Sequence, residues 1–340
     1  MSLISKIKLI AIEFNKKTPI IFQILKFFNF KYYTAFYYSY IFEKYYKEAR
    51  RIYKLDTGLS ANCNINDLTI KTYNPNKIDN DFDLPDDYLK LVNKISIEVN
   101  EKFKTTNNCN FFPKINKVSC PNLVDDIKEV KENKLQSVQL KDPFIINGLN
   151  ELISIIVAKL ESSVYGSYIF VDKIYIYRSL KSKLKLQGSA LWHFDNHPNE
   201  VTKAMIYLTE VDECNGGMQI YSSEKGEQIK FKSKPGLLNP FYPSRLNKRC
   251  LAKIEKKNYY KPRKLIGPKG FTFLFCENIL HRATVPTEKY RDVILLQFKP
   301  SHKKIEPALS KKNTGSFYDE DVLLNPGKIS QVKKPKMASG

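Results

Sequence analysis

LWHFDNHP, at residues 191–198, places His193 and Asp195 two positions apart in the chain. Side chains at positions i and i+2 of a β-strand point to the same face, so these two can bind one ion while the residue between them points away. A second histidine, His281, follows the apolar run at residues 271–275. We predict that this run belongs to another strand and that His193, Asp195 and His281 form one metal site.

The predicted ligand set consists of two imidazoles and one carboxylate. With coordination positions left open, this set is typical of non-haem Fe(II) sites; the same donors can also hold zinc, so iron is inferred from the combination. The H-x-D pair alone would more often be a salt-bridged histidine on a strand surface, and the third ligand is what favours a metal. His197 precedes Pro198, where the strand is expected to end, so we expect it at the rim of the site.

Arg291 follows His281 by ten positions and immediately precedes the apolar strand pattern DVILL. A guanidinium in such a stretch needs a partner if it is buried. Its planar fork matches a carboxylate through two parallel hydrogen bonds. We predict that Arg291 anchors an acidic co-substrate beside the metal. The alternative is a salt bridge to an Asp or Glu of the protein itself.

Several short motifs occur in a recognisable order around these residues: WHFDNHP at 192–198, AMIYL at 204–208, NGGMQIYSSEKG at 215–226 and PKGFTFLF at 268–275, followed by His281 and Arg291. Together they resemble the core of the Fe(II)/2-oxoglutarate-dependent dioxygenases, and in particular the phytanoyl-CoA dioxygenase-like branch. The resemblance covers about residues 165–300. The family's usual Asn-Gly-Pro-Leu and Pro-Gly-Ser-His turns are replaced here by NGGM and YSSE.

This resemblance implies a double-stranded β-helix (a jelly-roll, cupin-like barrel). It also implies Fe(II) held by His193, Asp195 and His281, with 2-oxoglutarate anchored by Arg291 and with O2 as the second co-substrate. The implied reaction is hydroxylation of a C–H bond. The carboxylate at Asp195 argues against a halogenase-type site, because those similar enzymes lack it to leave room for halide. The altered turns affect the expected substrate and leave the metal ligands untouched.

The amino-acid composition limits the classes of partner that the protein is expected to bind. The net charge of +21 suits an anionic partner, but a lysine-rich solvated surface explains it equally well. We therefore expect a small-molecule substrate that could be anionic, with peripheral membrane contact left open, and neither nucleic acid nor an obligate protein partner. Six cysteines without a C-x-x-C pair favour a reducing compartment, and so a cytoplasmic location.

The chain divides into three parts. Residues 1–56 are rich in aromatic and basic residues and predict a helical extension, which either packs on its own domain or lies on an anionic membrane. Residues 57–300 are predicted to form the dioxygenase domain, in which helices flank the barrel. The predicted class is therefore α+β. Residues 301–340 are expected to form a loosely ordered tail.

Two questions stay open at this point. Tyr175, Tyr177 and Arg178 lie on a strand expected to border the cavity, and the pattern does not decide which of them face it. The basic segment at residues 245–264 is expected either to cover the barrel mouth or to be a solvated loop. The alternative function is a catalytically inactive metal-binding barrel that acts as a basic membrane- or nucleic-acid-associated binding protein.

Overall fold

The computed structural model describes residues 31–60, 65, 68–105, 110–112, 117–119, 143–179, 181, 188–195, 199–230, 246, 248–256 and 258–304. His197, the first thirty residues of the predicted extension and the tail beyond residue 304 lie outside the described residues, so the predicted domain limits stay predictions. Within the described part, none of the helices combines the length and the apolar content that a membrane crossing requires.

The described elements include four α-helices and ten strands, together with a short π-helix (Glu161–Tyr165) and a short 3-10 helix (Gly188–Ala190). The helices are α1 (Lys31–Thr57), α2 (Asp86–Thr105), α3 (Pro143–Leu160) and α4 (Lys248–Lys256). The strands are β1 (Lys71–Tyr73), β2 (Asn110–Phe112), β3 (Lys117–Ser119), β4 (Tyr168–Ser179), β5 (Thr202–Tyr207), β6 (Met218–Ser222), β7 (Lys261–Leu265), β8 (Thr272–Cys276), β9 (His281–Ala283) and β10 (Arg291–Ser301).

The strands form two antiparallel sheets. The large sheet has the order β1-β8-β5-β10-β4-β3-β2, and the small one has the order β7-β6-β9. Strand β10 lies at the centre of the large sheet, where Leu295 is opposite Met205 of β5 on one side and Tyr175 of β4 on the other. This register sets which residues share a face with the metal ligands.

The two sheets pack face to face through alternate residues of their strands. Met205, Tyr207 and Phe273 of the large sheet belong to one buried cluster with Met218 and Ile220 of the small sheet. Because strand side chains alternate between faces, their neighbours along β5 and β8 point the other way. The predicted α+β fold with a double-stranded β-helix core is confirmed by this arrangement.

Helices α2 and α3 cover the outer face of the large sheet. Val92 of α2 and Ile153 of α3 lie in a second buried cluster with Ala204, Ile206 and other outward-facing strand residues. This layer is anchored by a buried hydroxyl pair, in which Tyr88 of α2 contacts Thr272 of β8. The helices therefore cover the outer face of the large sheet, while its inner face packs against the small sheet.

Helix α1 packs on the same molecule through its tyrosines. The Tyr46 hydroxyl donates to the Tyr165 carbonyl at 2.6 Å, and the Tyr53 ring lies edge-on to Tyr168 with centroids 5.0 Å apart. The ring of Tyr45 stacks on His302 at 3.7 Å. His302 is therefore partly covered by the helix. The second half of α1 is thus packed on the barrel, as one of the two predicted alternatives requires.

Candidate metal centre

His193 and His281 lie directly opposite each other in a single rung of antiparallel pairing. The His193 N–H donates to the His281 carbonyl at 2.9 Å, and the His281 N–H donates to the His193 carbonyl at 3.1 Å. The two imidazole rings are 4.3 Å apart between centroids. Residues far apart in the chain are thereby held side by side, facing the barrel interior.

Both imidazoles are oriented by the backbone that precedes them. His193 Nδ1 lies 2.7 Å from the Leu191 carbonyl oxygen, and His281 Nδ1 lies 2.9 Å from that of Ile279. A carbonyl oxygen can only accept a hydrogen bond, so Nδ1 is the donor in each ring and Nε2 is the nitrogen left to face a metal. This arrangement is typical of metal-binding histidines, whose second nitrogen is fixed by such a bond.

Asp195 completes the cluster. Its Oδ1 is 3.3 Å from His193 Nε2, and its Oδ2 is 3.7 Å from His281 Nε2. One ligand atom from each of the three residues can be chosen so that all lie within 4.8 Å of one another. Two imidazole nitrogens and one carboxylate fit Fe(II) by donor chemistry and leave room for further ligands.

The protonation states suit cation binding. Burial lowers the pKa of His281 to about 4, so its ring is neutral at physiological pH. Burial opposes ionisation of Asp195, but the pKa of Asp195 is lowered well below its usual value, and the positive charge of Lys203 is the largest cause of this lowering. The site therefore combines the neutral imidazole of His281 with the charged carboxylate of Asp195.

Lys203 and Glu277 belong to the site, and the sequence analysis missed both. Lys203 Nζ is 2.7 Å from Asp195 Oδ2 and 3.2 Å from Glu277 Oε2. Burial alone would lower the pKa of Lys203, but the two carboxylates raise it, so the amine stays charged. The sequence did contain one indication of this for Lys203. Residues 203, 205 and 207 alternate along one strand and so lie on the same face, and Met205 and Tyr207 face the barrel interior.

Arg291 is 1% exposed and lies at the start of β10. Its guanidinium donates to the Gly216 carbonyl and, at 3.3 Å, to the Ser179 hydroxyl, while its Nε has no hydrogen-bond partner. Among the described residues, no carboxylate lies within ion-pair distance of it. The neighbouring Asp292 instead pairs with Arg178. A buried cation whose described protein partners are neutral fits a site for an anionic group.

The turn at Gly216 and Gly217 supports this position. Gly216 has φ +80°, and a Cβ there would lie 2.7 Å from the Thr284 carbonyl oxygen. A Cβ at Gly217 would lie 2.6 Å from the Leu265 carbonyl oxygen. Only glycine fits both positions without moving the backbone, and the first of them supplies the acceptor for Arg291.

The remaining predicted cavity residues separate into two groups. Tyr177 is buried in the interior cluster, and Tyr175 packs against it. Arg178 faces the helices instead, where it binds Asp292 and Asn100 of α2. Strand alternation thus resolves the question that the sequence left open.

The basic segment lies behind the metal-bearing rung. Leu251 and Ile254 of α4 pack against Trp192 and Leu280, which point away from the barrel interior. The Arg282 guanidinium lies over the Trp192 ring at 4.6 Å. The described part of the segment therefore covers the outer face of the small sheet, a position that neither of the two expected alternatives included.

No protein-family model matches the chain, and no curated protein matches it. Solved structures that it is similar to include EctD from S. alaskensis with 2-oxoglutarate and 5-hydroxyectoine, at 12% identity and a TM-score of 0.43, over 72% of this chain and 77% of that one. The non-haem α-ketoglutarate-dependent carbocyclase SnoK from nogalamycin biosynthesis is 15% identical, with a TM-score of 0.38, over 74% and 83% of the chains. HygX from Streptomyces hygroscopicus, with nickel and 2-oxoglutarate bound, is 12% identical, with a TM-score of 0.38, over 71% and 86%. Likeness at this level transfers neither a reaction nor a substrate, so the ligand geometry carries the function.

Proposed function

We propose that this protein is an Fe(II)- and 2-oxoglutarate-dependent oxygenase, with iron held by His193, Asp195 and His281. The observation that carries the proposal is the convergence of two imidazole Nε2 atoms and one carboxylate inside a barrel. Iron bound there would supply O2 activation coupled to the oxidation of 2-oxoglutarate. A purely structural metal site would be closed by a fourth protein ligand, as structural zinc sites are.

Each group of residues around the metal site has a defined task in this proposal. The carbonyls of Leu191 and Ile279 fix the rings so that both Nε2 atoms point at one centre. Arg291 binds the distal carboxylate of 2-oxoglutarate as a charge-assisted pair. The apolar residues of the interior cluster, such as Met205 and Phe273, exclude water from the space between these groups.

The substrate class is a narrower proposal. The motif order between residues 192 and 291 supports placement in the phytanoyl-CoA dioxygenase-like branch, and with it hydroxylation of a C–H bond in a small or lipid-like molecule. The net charge of +21 is compatible with an anionic substrate. Since the described basic helix α4 packs behind the metal rung, it gives no support to a basic lid over the substrate.

The test is 2-oxoglutarate turnover by protein reconstituted with Fe(II) under anaerobic conditions and then exposed to O2. We expect succinate to form, and we expect His281→Ala to abolish both iron binding and succinate formation, because two ligands hold ferrous iron weakly. His302→Ala is the matched control, since His302 stacks on Tyr45 away from the site. Full activity of His281→Ala would refute the ligand assignment, and a wild type that binds iron without turnover would favour the inactive binding barrel.

A further inference from the structure

A buried lysine lies between two carboxylates at the proposed metal centre. Lys203 Nζ is 2.7 Å from Asp195 Oδ2 and 3.2 Å from Glu277 Oε2. The side chain of Glu277 is fully buried, and those of Lys203 and Asp195 are 14% and 20% exposed. Charges removed from water in this way persist only where they compensate one another. The three groups therefore form one ion chain that ends on a predicted metal ligand.

The lysine divides the two oxygens of Asp195 between two tasks. Oδ2 accepts the short hydrogen bond from Lys203 and lies 3.7 Å from His281 Nε2, whereas Oδ1 is nearer to its imidazole, at 3.3 Å from His193 Nε2. A carboxylate can bind a metal through one oxygen or through both. Because Oδ2 is already held by an ammonium group, binding through Oδ1 alone is favoured.

The number of carboxylate oxygens on the metal matters for this chemistry. In an octahedral site, two imidazoles and one carboxylate oxygen leave three positions open, enough for a chelating 2-oxo acid and O2. A second oxygen from the same carboxylate would take one of these positions. The residue that controls the binding mode of Asp195 would thus control whether the co-substrates fit.

We propose that Lys203 is a positioning residue that limits Asp195 to one metal-binding oxygen, and that Glu277 is the counter-charge that allows a lysine to do so beside a cation. The proposal rests on the proposed function, since it concerns the same centre. Glu277 offsets the repulsion that Lys203 would otherwise exert on the metal. Lys203 itself is held at its position by β5, where it shares a face with Met205 and Tyr207.

A purely structural role makes a different prediction. If Lys203 only filled space and balanced charge in the barrel, its removal would disturb the whole centre, and metal and co-substrate would be lost together. Under the proposed role, its removal frees Oδ2 for the metal and also removes a repulsive charge. Metal binding is then kept or strengthened while co-substrate binding is weakened.

The experiment compares Lys203→Met with the wild type, using Co(II) as the metal probe and 2-oxoglutarate titrated into the Co(II)-loaded protein. We expect Co(II) affinity to be unchanged or higher, 2-oxoglutarate affinity to fall by about 10- to 100-fold, and the visible Co(II) spectrum to change. Lys264→Met is the matched control, since Lys264 pairs with Glu213 at 2.7 Å in an ion pair unconnected to Asp195. Wild-type affinity for 2-oxoglutarate in Lys203→Met, or loss of Co(II) from the folded variant, would overturn the proposal.

Glu277→Gln provides a second measurement should Lys203→Met fail to fold. It leaves the lysine charge unbalanced, so Co(II) affinity should fall by about tenfold or more, while the Co(II)-loaded protein should keep its 2-oxoglutarate affinity. Unchanged Co(II) affinity in this variant would contradict the counter-charge role. Failure of the wild type to bind Co(II) and 2-oxoglutarate would instead overturn the proposed function itself, and the two failures are distinguished by the wild-type titration.

Discussion

At Arg291 a full positive charge lies in the barrel interior. The described groups around it are neutral: the Gly216 carbonyl, the Ser179 hydroxyl and the Tyr207 hydroxyl. In water, a guanidinium is hydrated, and burial removes that hydration from Arg291. An incoming carboxylate would replace the lost water as the partner of the charge. A buried arginine of this kind can therefore bind an acid tightly and selectively.

Replacing Arg291 by Gln should leave the metal bound and weaken 2-oxoglutarate binding by about 2–5 kcal/mol, the usual cost of breaking a buried charge pair. Isothermal titration into metal-loaded protein measures this directly. Arg178→Gln is the control, because Arg178 is also largely buried but forms an ion pair with Asp292 at 2.7 Å on the other face of the sheet. Equal losses in the two variants would show that Arg291 is not the anchor.

Some of the site could be predicted from the sequence, and the physical reason is the spacing of rare residue types. His193, Asp195 and His281 share one centre because the i, i+2 pair is joined by a partner from elsewhere in the chain. The strand expected at His193 is a single bridge to His281 in the structure. Lys203 and Glu277 could not be placed in this way, because lysine and glutamate are common in this chain. Their contact depends on a turn after β8 that brings Glu277 back to Asp195, whose N–H donates to the Glu277 carbonyl at 3.2 Å.

At the scale of elements, the contact between helix α1 and the barrel contains a buried acid. Glu200 is 3% exposed, and its Oε2 has no hydrogen-bond partner in the described structure. Burial raises the pKa of Glu200 to about 7, with Glu43 of α1 adding to the rise and Lys47 opposing it. The unfolded chain would ionise this group near its ordinary value of 4.5.

Glu200 therefore makes folding dependent on pH. Between pH 4.5 and pH 7 the folded state holds a proton that the unfolded state has released, so stability falls as pH rises through this window, by about 3 kcal/mol in total. Glu200→Gln should remove this slope and make the protein more stable at pH 8, with little change at pH 4.5. Urea unfolding of both proteins at the two pH values tests this. Parallel losses of stability with pH in the two proteins would contradict it.

The elements themselves were predicted where periodicity was clear. The strands at residues 168–179 and 218–222 can be recognised in the sequence, because β-branched and aromatic residues alternate there. The sequence did not predict helix α4 or edge strand β7, because their many lysines and arginines make a short apolar stripe difficult to recognise. Leu251 and Ile254 form that stripe, and its partner, the outer face of the small sheet, could be recognised only once the strands were placed.

At the scale of the whole molecule, the proposed metal ties together parts of the chain that are distant in sequence. It would bind the folded state alone, because the unfolded chain does not hold His193 beside His281. Ligand at 100 times its dissociation constant stabilises a protein by about 2.7 kcal/mol. We expect Co(II) to raise the melting temperature and a chelator to reverse the rise. His193→Ala should melt at the same temperature with and without Co(II); a rise in that variant would indicate binding elsewhere.

The mutual hydrogen bonds between His193 and His281 have a further consequence, for how such a chain can change over time. The distance between these two residues is set by one rung of backbone pairing, with bonds of 2.9 and 3.1 Å, and not by the segments that connect them. Insertions, deletions and exchanges between the two histidines can therefore accumulate while the rung keeps its dimensions. Related chains that keep this pairing can therefore differ in the residues that line the cavity while they retain the same arrangement of the two histidines.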